Sequence, residues 1–366
     1  MLLLEREEQP GYHSTGRSAA AYIPSYGFDN ASLRLLTRHS LPFLLQPGDI
    51  FQISTLLHRR GLLTLRPPEV EPAEELEQAH LQEAIAGLVR VDGDFVRRSI
   101  PLIQDEYATD GWYERDVYDM DVHALHEGYL RTLRQRGGRL TSKVKITAVQ
   151  RREEEWCVAA SGGRYRAPLL VNAAGAWADE IAAMAGVAGI GLQALRRTAV
   201  LLKPPAGCDV SGWPMVLASD ESFYLKPDAG LILASPADEH PSPACDAQPE
   251  EIDIAYAVHF AQEALQLEVR KVSHSWAGLR SFVADRTPVV GFSPEAEGFF
   301  WMAGQGGHGI QTAPATARLA AALLLEQDLP DDLAQAGFDP AWVSPARLQA
   351  DGGRVPESGS HAHHSL

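Results

Sequence analysis

The sequence has few cysteines and no long apolar run. Its three cysteines, Cys157, Cys208 and Cys245, are widely spaced and odd in number, which excludes a disulfide framework and a CxxC metal or redox site. The longest uninterrupted apolar run covers residues 319–325 and is much shorter than the roughly 20 residues that cross a bilayer. We therefore expect no membrane span, and the scarcity of cysteine favours a reducing, cytoplasmic location.

Positive charge is also in deficit. The 32 lysines and arginines stand against 48 acidic residues and give a formal net charge of −16, a field that repels phosphate backbones. Nucleic acid is therefore excluded as an expected partner. With 366 residues, of which 45% are hydrophobic and 22% charged, the composition is that of a globular protein long enough for two domains.

The first residues have neither the basic start nor the apolar stretch of roughly 7–15 residues that a signal peptide needs, so we expect none here. Instead, residues 2–4 are three leucines that run directly into Glu5 and predict the end of a buried strand. In a dinucleotide-binding unit, an acid in this position hydrogen-bonds the ribose hydroxyls, about 20 residues after a glycine-rich turn. The alternative is a charged strand end that faces water.

Hydrophobic periodicity predicts helices and strands in both halves of the chain. Helices are expected at about 30–45, 72–88, 122–136 and 250–268. Between about 190 and 283 the pattern changes to longer strands, and a turn at 227–230 predicts a hairpin in a mostly antiparallel sheet. This region is expected to be a second domain.

A glycine-rich run at 304–309 precedes a helix that we expect to start at about Thr312. Glycines let the backbone approach a flat ligand closely, and a helix N-terminus offers free N–H groups and the positive end of the helix dipole. The run is therefore a candidate ligand site, and a plain loop is the alternative.

Five segments, in chain order, resemble the FAD-dependent D-amino acid oxidase superfamily. They are residues 2–20, 170–177, 220–227, 276–280 and 305–312. Within this superfamily they look most similar to bacterial D-amino acid dehydrogenases of the D-arginine dehydrogenase type. The resemblance extends over nearly the whole chain, except the stretch 46–110 and the C-terminal tail.

The resemblance implies an α/β fold with two domains. A Rossmann-like FAD-binding domain would comprise 1–45, 121–187 and 284–345, and an α+β substrate domain with a mostly antiparallel sheet would comprise 46–120 and 188–283. A mobile tail is expected at 346–366. Glu5 takes the position of the ribose acid, so the FAD-binding domain is expected to be N-terminally truncated by about 30 residues, comprising the strand, turn and helix of the glycine motif.

The resemblance also implies noncovalent FAD, because no cysteine lies in a segment similar to a covalent attachment site. The residues implied in cofactor binding are Glu5, Arg6, Ser14, Thr15, Ser18, Ala19, Lys145, Ile146, Ala174, Gly175, Trp177, Gly306, Gly307, Gly309, Ile310, Gln311 and Thr312. No metal site is expected, since a helix cap and a solvated first turn explain Asp119, Asp121, His123 and His126.

The implied reaction is the oxidative deamination of a D-amino acid, with hydride transfer from Cα to flavin N5. Arg280 and Arg197 correspond to positions that bind the α-carboxylate, a role suited to the planar guanidinium fork. Tyr224 and Tyr26 correspond to phenols that hydrogen-bond the substrate. The alternatives are surface arginines and tyrosines at a core edge. The electron acceptor is left open between oxygen and a quinone-type molecule.

The pocket expected for the substrate side chain is mostly apolar. Its residues are Ala21, Ile23, Leu62, Met215, Leu217, Glu221 and Gly278. Ala21, Ile23 and Leu62 stand where family members that prefer cationic side chains carry acceptors, so we expect neutral or apolar D-amino acids. Two alternatives are left open: an oxidase or dehydrogenase of glycine, sarcosine or other N-substituted amino acids, and a truncated, cofactor-free protein without activity.

Overall fold

The computed structural model describes residues 1–70 and 87–350, with the side chains of 349 and 350 excepted. Nearly all of the helix expected at about 72–88, and the expected tail beyond 350, lie outside these residues. None of the helices in the described ranges has the length and apolar composition that crossing a bilayer requires.

The described residues form twenty strands and eight α-helices. The strands are β1 (Leu2–Leu4), β2 (Ala21–Tyr22), β3 (Leu57–Arg59), β4 (Leu62–Leu65), β5 (Leu88–Val91), β6 (Gly111–Glu114), β7 (Tyr118–Met120), β8 (Arg139–Thr141), β9 (Ile146–Arg152), β10 (Glu155–Ala160), β11 (Gly163–Ala167), β12 (Leu170–Asn172), β13 (Gln193–Leu202), β14 (Met215–Ala218), β15 (Tyr224–Asp228), β16 (Leu231–Ser235), β17 (His240–Ser242), β18 (His274–Phe282), β19 (Val289–Phe292) and β20 (Phe299–Ala303). The helices are α1 (Ala31–Leu45), α2 (Gly93–Ser99), α3 (Val122–Gln135), α4 (Ala178–Met184), α5 (Glu251–Ala264), α6 (Gly309–Leu324), α7 (Asp331–Gln335) and α8 (Arg347–Ala350).

The largest sheet has nine strands in the order β17-β13-β16-β15-β14-β4-β6-β5, with β18 also paired to β13. Its neighbouring strands are antiparallel except for the parallel pair β4 and β14. Helix α5 shares a buried core with this sheet, in which Ala257 and Ala261 join Val200 and Leu202. The mostly antiparallel sheet that the sequence predicted is confirmed.

The other half of the fold contains short parallel pairs, β1 with β8 and β12 with β20. Helices α1 and α6 pack together and bury Leu36 and Leu319. Within residues 1–70 and 87–350, β1 and β12 each have one edge without a strand partner, and Leu2 and Val171 on these strands are both 41% exposed. The expected absence of an upstream strand, turn and helix stays a prediction.

Two helices begin at N-cap residues that lie at or near the helix starts predicted from the sequence. The side chain of Asp121 accepts a hydrogen bond from the backbone of residue 124 and begins α3, and Asn30 caps α1 in the same way. Helix α6 begins at Gly309, before the predicted Thr312, because the N–H of Thr312 already bonds to the carbonyl of His308. Only Gly309 of the glycine-rich run therefore belongs to the first helical turn.

The mobile tail was predicted to start at residue 346. Residues 347–350 form α8, and Arg347 lies against the body of the protein. Its guanidinium donates to Asp285 at 2.7 Å and to the carbonyl of Thr287 at 2.7 Å. The boundary of the tail stays a prediction.

Candidate functional site

Two neighbouring strands carry the arginines predicted to bind a carboxylate. β13 and β18 pair with Arg197 opposite Gly278 and Leu195 opposite Arg280. Directly opposite residues share a face of the sheet, and side chains two residues apart return to that face. Arg197 and Arg280 are therefore diagonal neighbours, and Gly278 leaves space between them.

Arg196 turns to the opposite face of β13. Its guanidinium lies 2.9 Å from Asp253 on α5 and also contacts Glu250. The acceptor atoms of Asp238, His240 and Asp253 converge within 4.8 Å, a geometry that could hold a metal ion. Arg196 already places a cation beside these groups, which explains the cluster without a metal.

One internal carboxylate, that of Glu239, contacts three arginines. Nη2 of Arg197 lies 3.2 Å from Oε1 of Glu239, and Nη2 of Arg286 lies 2.9 Å from the same oxygen. Nη2 of Arg280 also donates to this oxygen. Among the described residues, the buried Nε atoms of Arg197 and Arg280 have no hydrogen-bond acceptor. Because an unsatisfied buried donor is unfavourable, the arginine pair has capacity left for a further anion.

Tyr26 lies beside these arginines. Its Oη accepts a hydrogen bond of 3.0 Å from Arg280, and its ring stacks on His308 with centroids 4.1 Å apart. Gly307 passes so close that an added Cβ would lie 2.9 Å from Nη1 of Arg280 and closer still to the phenol oxygen. Burial raises the pKa of Tyr26 and lowers the pKa of His308 to about 4, which keeps the phenol protonated and the imidazole uncharged near neutral pH.

The residues predicted for the side-chain pocket meet on the large sheet. β4 and β14 run in parallel with Leu62 opposite Met215. A buried cluster forms around this pair, and its further members are Val117, Ala21, Ile23, Leu217 and Tyr224. Burial raises the pKa of Tyr224, so its hydroxyl stays protonated. Glu221 lies outside the cluster, exposed in the turn before β15.

The sequence patterns did not single out Glu114, which lies directly opposite Leu62 on β6. Its buried carboxyl accepts hydrogen bonds from Oγ and N of Ser25 at 2.6 and 3.2 Å. Burial raises its pKa. Glu114 therefore anchors the residue before Tyr26. No motif surrounds it, and its partner is 89 positions away, so sequence carried no signal for this role.

Glu5, predicted to bind ribose, lies directly after β1. Its Oε1 accepts a 2.8 Å hydrogen bond from the N–H of Glu7, and its carbonyl accepts one from the N–H of Val144 at 2.9 Å. Lys145 and Ile146 follow Val144 in the chain, and Ile146 begins β9 beside this strand end. The structure thus brings the residues predicted around 5 and 145 together.

Arg6 and Trp177 form a second contact between predicted segments. The guanidinium of Arg6 lies 4.8 Å from the ring centroid of Trp177, and His13 packs against the same ring at 4.9 Å. Ala174 and Gly175 precede Trp177 in this turn. Gly175 has a φ of 57°, and an added Cβ there would meet open space.

A cleft of about 660 Å³ lies beside the loop at 9–20. Thr15, Ser18 and Ala19 line it, together with Lys226 from β15. Nζ of Lys226 donates to the carbonyl of Ala19 at 2.8 Å, whereas the hydroxyl of Ser14 donates to the backbone of β18 at 2.7 Å. The cleft is in the size range of cofactor and ligand sites, about 300–1,000 Å³.

The N-terminus of α6 is open to a ligand. In the described part of the chain, no side chain caps this helix, and both ring nitrogens of the buried His308 lack hydrogen-bond partners. Gly306, with a φ of 54°, packs against Phe282, and Gly309 begins the helix. Free N–H groups at a helix N-terminus suit the anionic edge of a planar ligand.

The side chains that follow in α6 point into the protein instead. Gln311 accepts from the N–H of Ile23 and donates to Thr37, both at 3.0 Å. The hydroxyl of Thr312 donates to a backbone carbonyl of the same turn, and Ile310 packs against a hydrophobic core. If this segment contacts a cofactor, the contacts come from its backbone and not from these side chains.

A family model described as DAO, FAD dependent oxidoreductase, matches residues 1–323. The chain belongs to this family. Its cofactor is FAD. The residues at the start of α6 fit that group, since the uncapped helix and the unpaired nitrogens of His308 offer partners to a flavin ring.

Curated relatives are similar to this DAO-family chain over part of their length. It is 27% identical over 264 residues to hydrogen cyanide synthase subunit HcnC of Pseudomonas aeruginosa, which covers 70% of this chain and 60% of the relative. It is 27% identical over 175 residues to glycine oxidase of Geobacillus kaustophilus, covering 48% of this chain and 45% of the relative. The matches therefore span about half of these relatives' length.

Solved structures share the fold over most of both chains. Glycine oxidase from Geobacillus kaustophilus superposes with a TM-score of 0.75 at 20% identity, covering 92% of this chain and 90% of the other. L-proline dehydrogenase from P. horikoshii gives 0.76 at 19%, covering 96% and 92%. The family model confirms the superfamily assignment from sequence. None of these three proteins is named a D-arginine dehydrogenase, so that finer likeness stays a prediction.

Proposed function

We propose that this chain oxidises small amino acids at the bond between Cα and the amine. The observation that supports this most directly is the pair Arg197 and Arg280, whose buried Nε atoms have no acceptor among the described residues. An α-carboxylate supplies two oxygens in one plane, which a guanidinium binds with two parallel hydrogen bonds. The α-carboxylate, which all amino acid substrates share, thus matches the arginine pair of the site.

The chain's own residues bind and orient the substrate. Arg280 and Arg197 hold the carboxylate, and Tyr26 and Tyr224 present neutral hydroxyls, since burial raises the pKa of both. FAD, when bound, supplies the two-electron acceptor. The neutral amine provides the electron pair that forms the C=N bond as Cα loses hydride, and water then converts the released imino acid to a keto acid and ammonia.

The finer proposal is a D-amino acid with a neutral or apolar side chain. The apolar preference is supported by the cluster around Leu62 and Met215, which offers a hydrocarbon surface. The D preference is supported by the sequence resemblance of the five segments. Both oxygens of Glu114, the nearest buried acid on β6, already accept hydrogen bonds from Ser25, and burial raises its pKa, so it is poorly suited to pair with a cation.

A second candidate is oxidation of glycine, sarcosine or another N-substituted amino acid. It is favoured by relatives named glycine oxidase and sarcosine dehydrogenase. The carboxylate-binding arginines serve both reactions equally, so the two candidates differ only in the side-chain pocket and at the amine.

Flavin content and turnover test these proposals. Purified chain should absorb at about 370 and 450 nm, and a colourless protein would favour the cofactor-free alternative. With an artificial electron acceptor, D-Leu, D-Met and D-Phe should exceed D-Arg, D-Lys, L-Leu, glycine and sarcosine in kcat/KM. Higher values for D-Arg or D-Lys would exclude the apolar preference, and turnover of glycine or sarcosine alone would support the second candidate.

A conservative variant tests the carboxylate site. Arg280→Lys keeps the charge but loses the planar fork, so KM should rise at least about tenfold. Arg270→Lys is a matched control, since Arg270 is 83% exposed and pairs only with surface Glu268 in the described contacts. An unchanged KM in Arg280→Lys would remove Arg280 from the binding site.

A further inference from the structure

The inference concerns Glu239 and depends on the proposed role of Arg280 in binding the substrate carboxylate. Arg280 has a two-pronged donor edge formed by Nη1 and Nη2. Nη1 donates to Tyr26 at 3.0 Å and Nη2 donates to Glu239. A carboxylate that binds Arg280 with two hydrogen bonds uses Nη2 together with Nη1 or Nε, so it must displace Glu239 from Nη2.

The backbone of Glu239 is held in place from both sides. Asp238 accepts hydrogen bonds from N and Oγ1 of Thr198 at 2.7 and 3.1 Å. His240 begins β17, which pairs with β13 opposite Arg196. The backbone is thus fixed beside the arginines, and motion at this position is confined to the side chain, which is 34% exposed.

Arg286 offers the same side chain a second partner at the edge of the site. Its guanidinium is 53% exposed and lies over the ring of Phe282 at 3.9 Å. Its nitrogens reach both oxygens of Glu239, at 2.9 and 3.2 Å. Glu239 can therefore leave Arg280 and Arg197 while it keeps a bidentate partner.

The charges allow two carboxylates at once. Arg197, Arg280 and Arg286 carry three positive charges against the single negative charge of Glu239. A substrate carboxylate reduces the surplus from two to one, so it enters without net repulsion. The buried Nε atoms of Arg197 and Arg280, which lack acceptors among the described residues, then gain one.

We propose that Glu239 is an internal carboxylate that competes with the substrate carboxylate for Arg280 and moves onto Arg286 when substrate binds. Glu239 thereby sets the affinity for every carboxylate ligand of this site. It is a specificity-determining residue, because a ligand must replace its hydrogen bonds to Arg280 before it can bind.

The competition has a test that does not depend on turnover. 4-Methylpentanoate, which has the carbon skeleton of leucine without the amine, is titrated calorimetrically into the FAD-loaded full chain. Glu239→Gln removes the competing charge, so the ligand should bind about tenfold more tightly. Glu250→Gln is a matched control on the opposite face of β13 and should stay within about twofold of wild type.

A purely structural role of Glu239 predicts a different change in ligand affinity. If Glu239 only holds the arginines in position, Glu239→Gln weakens binding or leaves it unchanged, and either result overturns the proposal. If the ligand binds neither wild type nor variant, the carboxylate site itself is refuted together with the proposed function. Binding to wild type without tightening in Glu239→Gln refutes the competition alone.

A double-mutant cycle identifies Arg286 as the second partner. Arg286→Gln should weaken ligand binding in the wild-type background, because Glu239 then has no partner to move to. In the Glu239→Gln background the same change should have an effect at least about threefold smaller. Equal effects in the two backgrounds would overturn the transfer to Arg286. Thermal melting of each variant shows that it is folded.

Discussion

Gly307→Ala separates the role of the glycine run in shaping the site from its role in folding. Gly307 has an ordinary backbone conformation, so alanine adds no backbone strain there. The new Cβ would lie 2.9 Å from Nη1 of Arg280 and would overlap the hydroxyl of Tyr26. The phenol is stacked on His308 and bonded to Arg280, so it can yield only by giving up that hydrogen bond.

The expected loss follows from that bond. A hydrogen bond to a charged group contributes about 1.5–3 kcal/mol, which corresponds to roughly a 10- to 150-fold decrease in kcat/KM. Steady-state kinetics on FAD-loaded enzyme with the best amino acid substrate measure this decrease. The variant should still fold and bind flavin, because the displaced atoms are the ends of two side chains.

Gly212→Ala is the matched control. Gly212 also has an ordinary conformation, and a Cβ there meets no atom within 4 Å. Its kcat/KM should equal that of wild type. If Gly307→Ala retained kcat/KM within about twofold of wild type, the contact of Tyr26 with Arg280 would not matter for turnover, and the reasoning would be refuted.

Three further predictions concern titration and the cofactor. Burial raises the pKa of Glu114, so its carboxyl binds a proton more tightly in the folded state than in the unfolded state. The free energy of unfolding of wild type, relative to that of Glu114→Gln, should therefore fall as pH rises above about 4.5. Urea titrations that show the same pH dependence for both proteins would contradict this. The pKa of His308, lowered to about 4 by burial and by Arg286, predicts that its imidazole stays neutral down to about pH 5 and that its contribution to stability is lost as pH falls from 6.5 towards 4. An NMR titration assigned with His308→Gln checks this, and a midpoint near 6.5 would refute it. Noncovalent FAD predicts that acid precipitation releases the flavin to the supernatant, and yellow colour kept in the pellet would show a covalent bond.

The resemblance predicted Arg280 as a carboxylate-binding residue, with Arg197 as a second candidate. Arg196 and Arg197 are adjacent, yet neighbouring residues of a strand point to opposite faces. Arg196 pairs with Asp253 under α5, whereas Arg197 lies beside Arg280. Strand alternation thus explains why Arg197 and not Arg196 is next to Arg280, and the binding role of both candidates stays a prediction.

Glu114 and Glu239 were beyond sequence reasoning because their partners are distant in the chain. Glu114 bonds to Ser25 across 89 positions, and Glu239 bonds to Arg280 across 41. Neither acid belongs to a periodic pattern or motif. For Gln311 the motif marked the residue, but the start of α6 turns its side chain towards Ile23 and Thr37. Its role in cofactor binding stays a prediction.

The net charge of the whole chain is negative, whereas the charge of the proposed site is positive. This difference limits the range of substrates that suit the proposed site. The net charge of −16 disfavours the approach of anions, yet the field of exposed charges is screened beyond about 8 Å at physiological ionic strength. At contact distance, Arg197, Arg280 and Arg286 surround Glu239. A zwitterionic amino acid has no net charge, so the negative charge of the protein does not repel it at long range. At short range its carboxylate can pair with the arginines. The negative charge of the protein would repel a dicarboxylate during approach, and its second carboxylate would lie against the apolar cluster around Leu62. An amino acid with a neutral side chain avoids both costs.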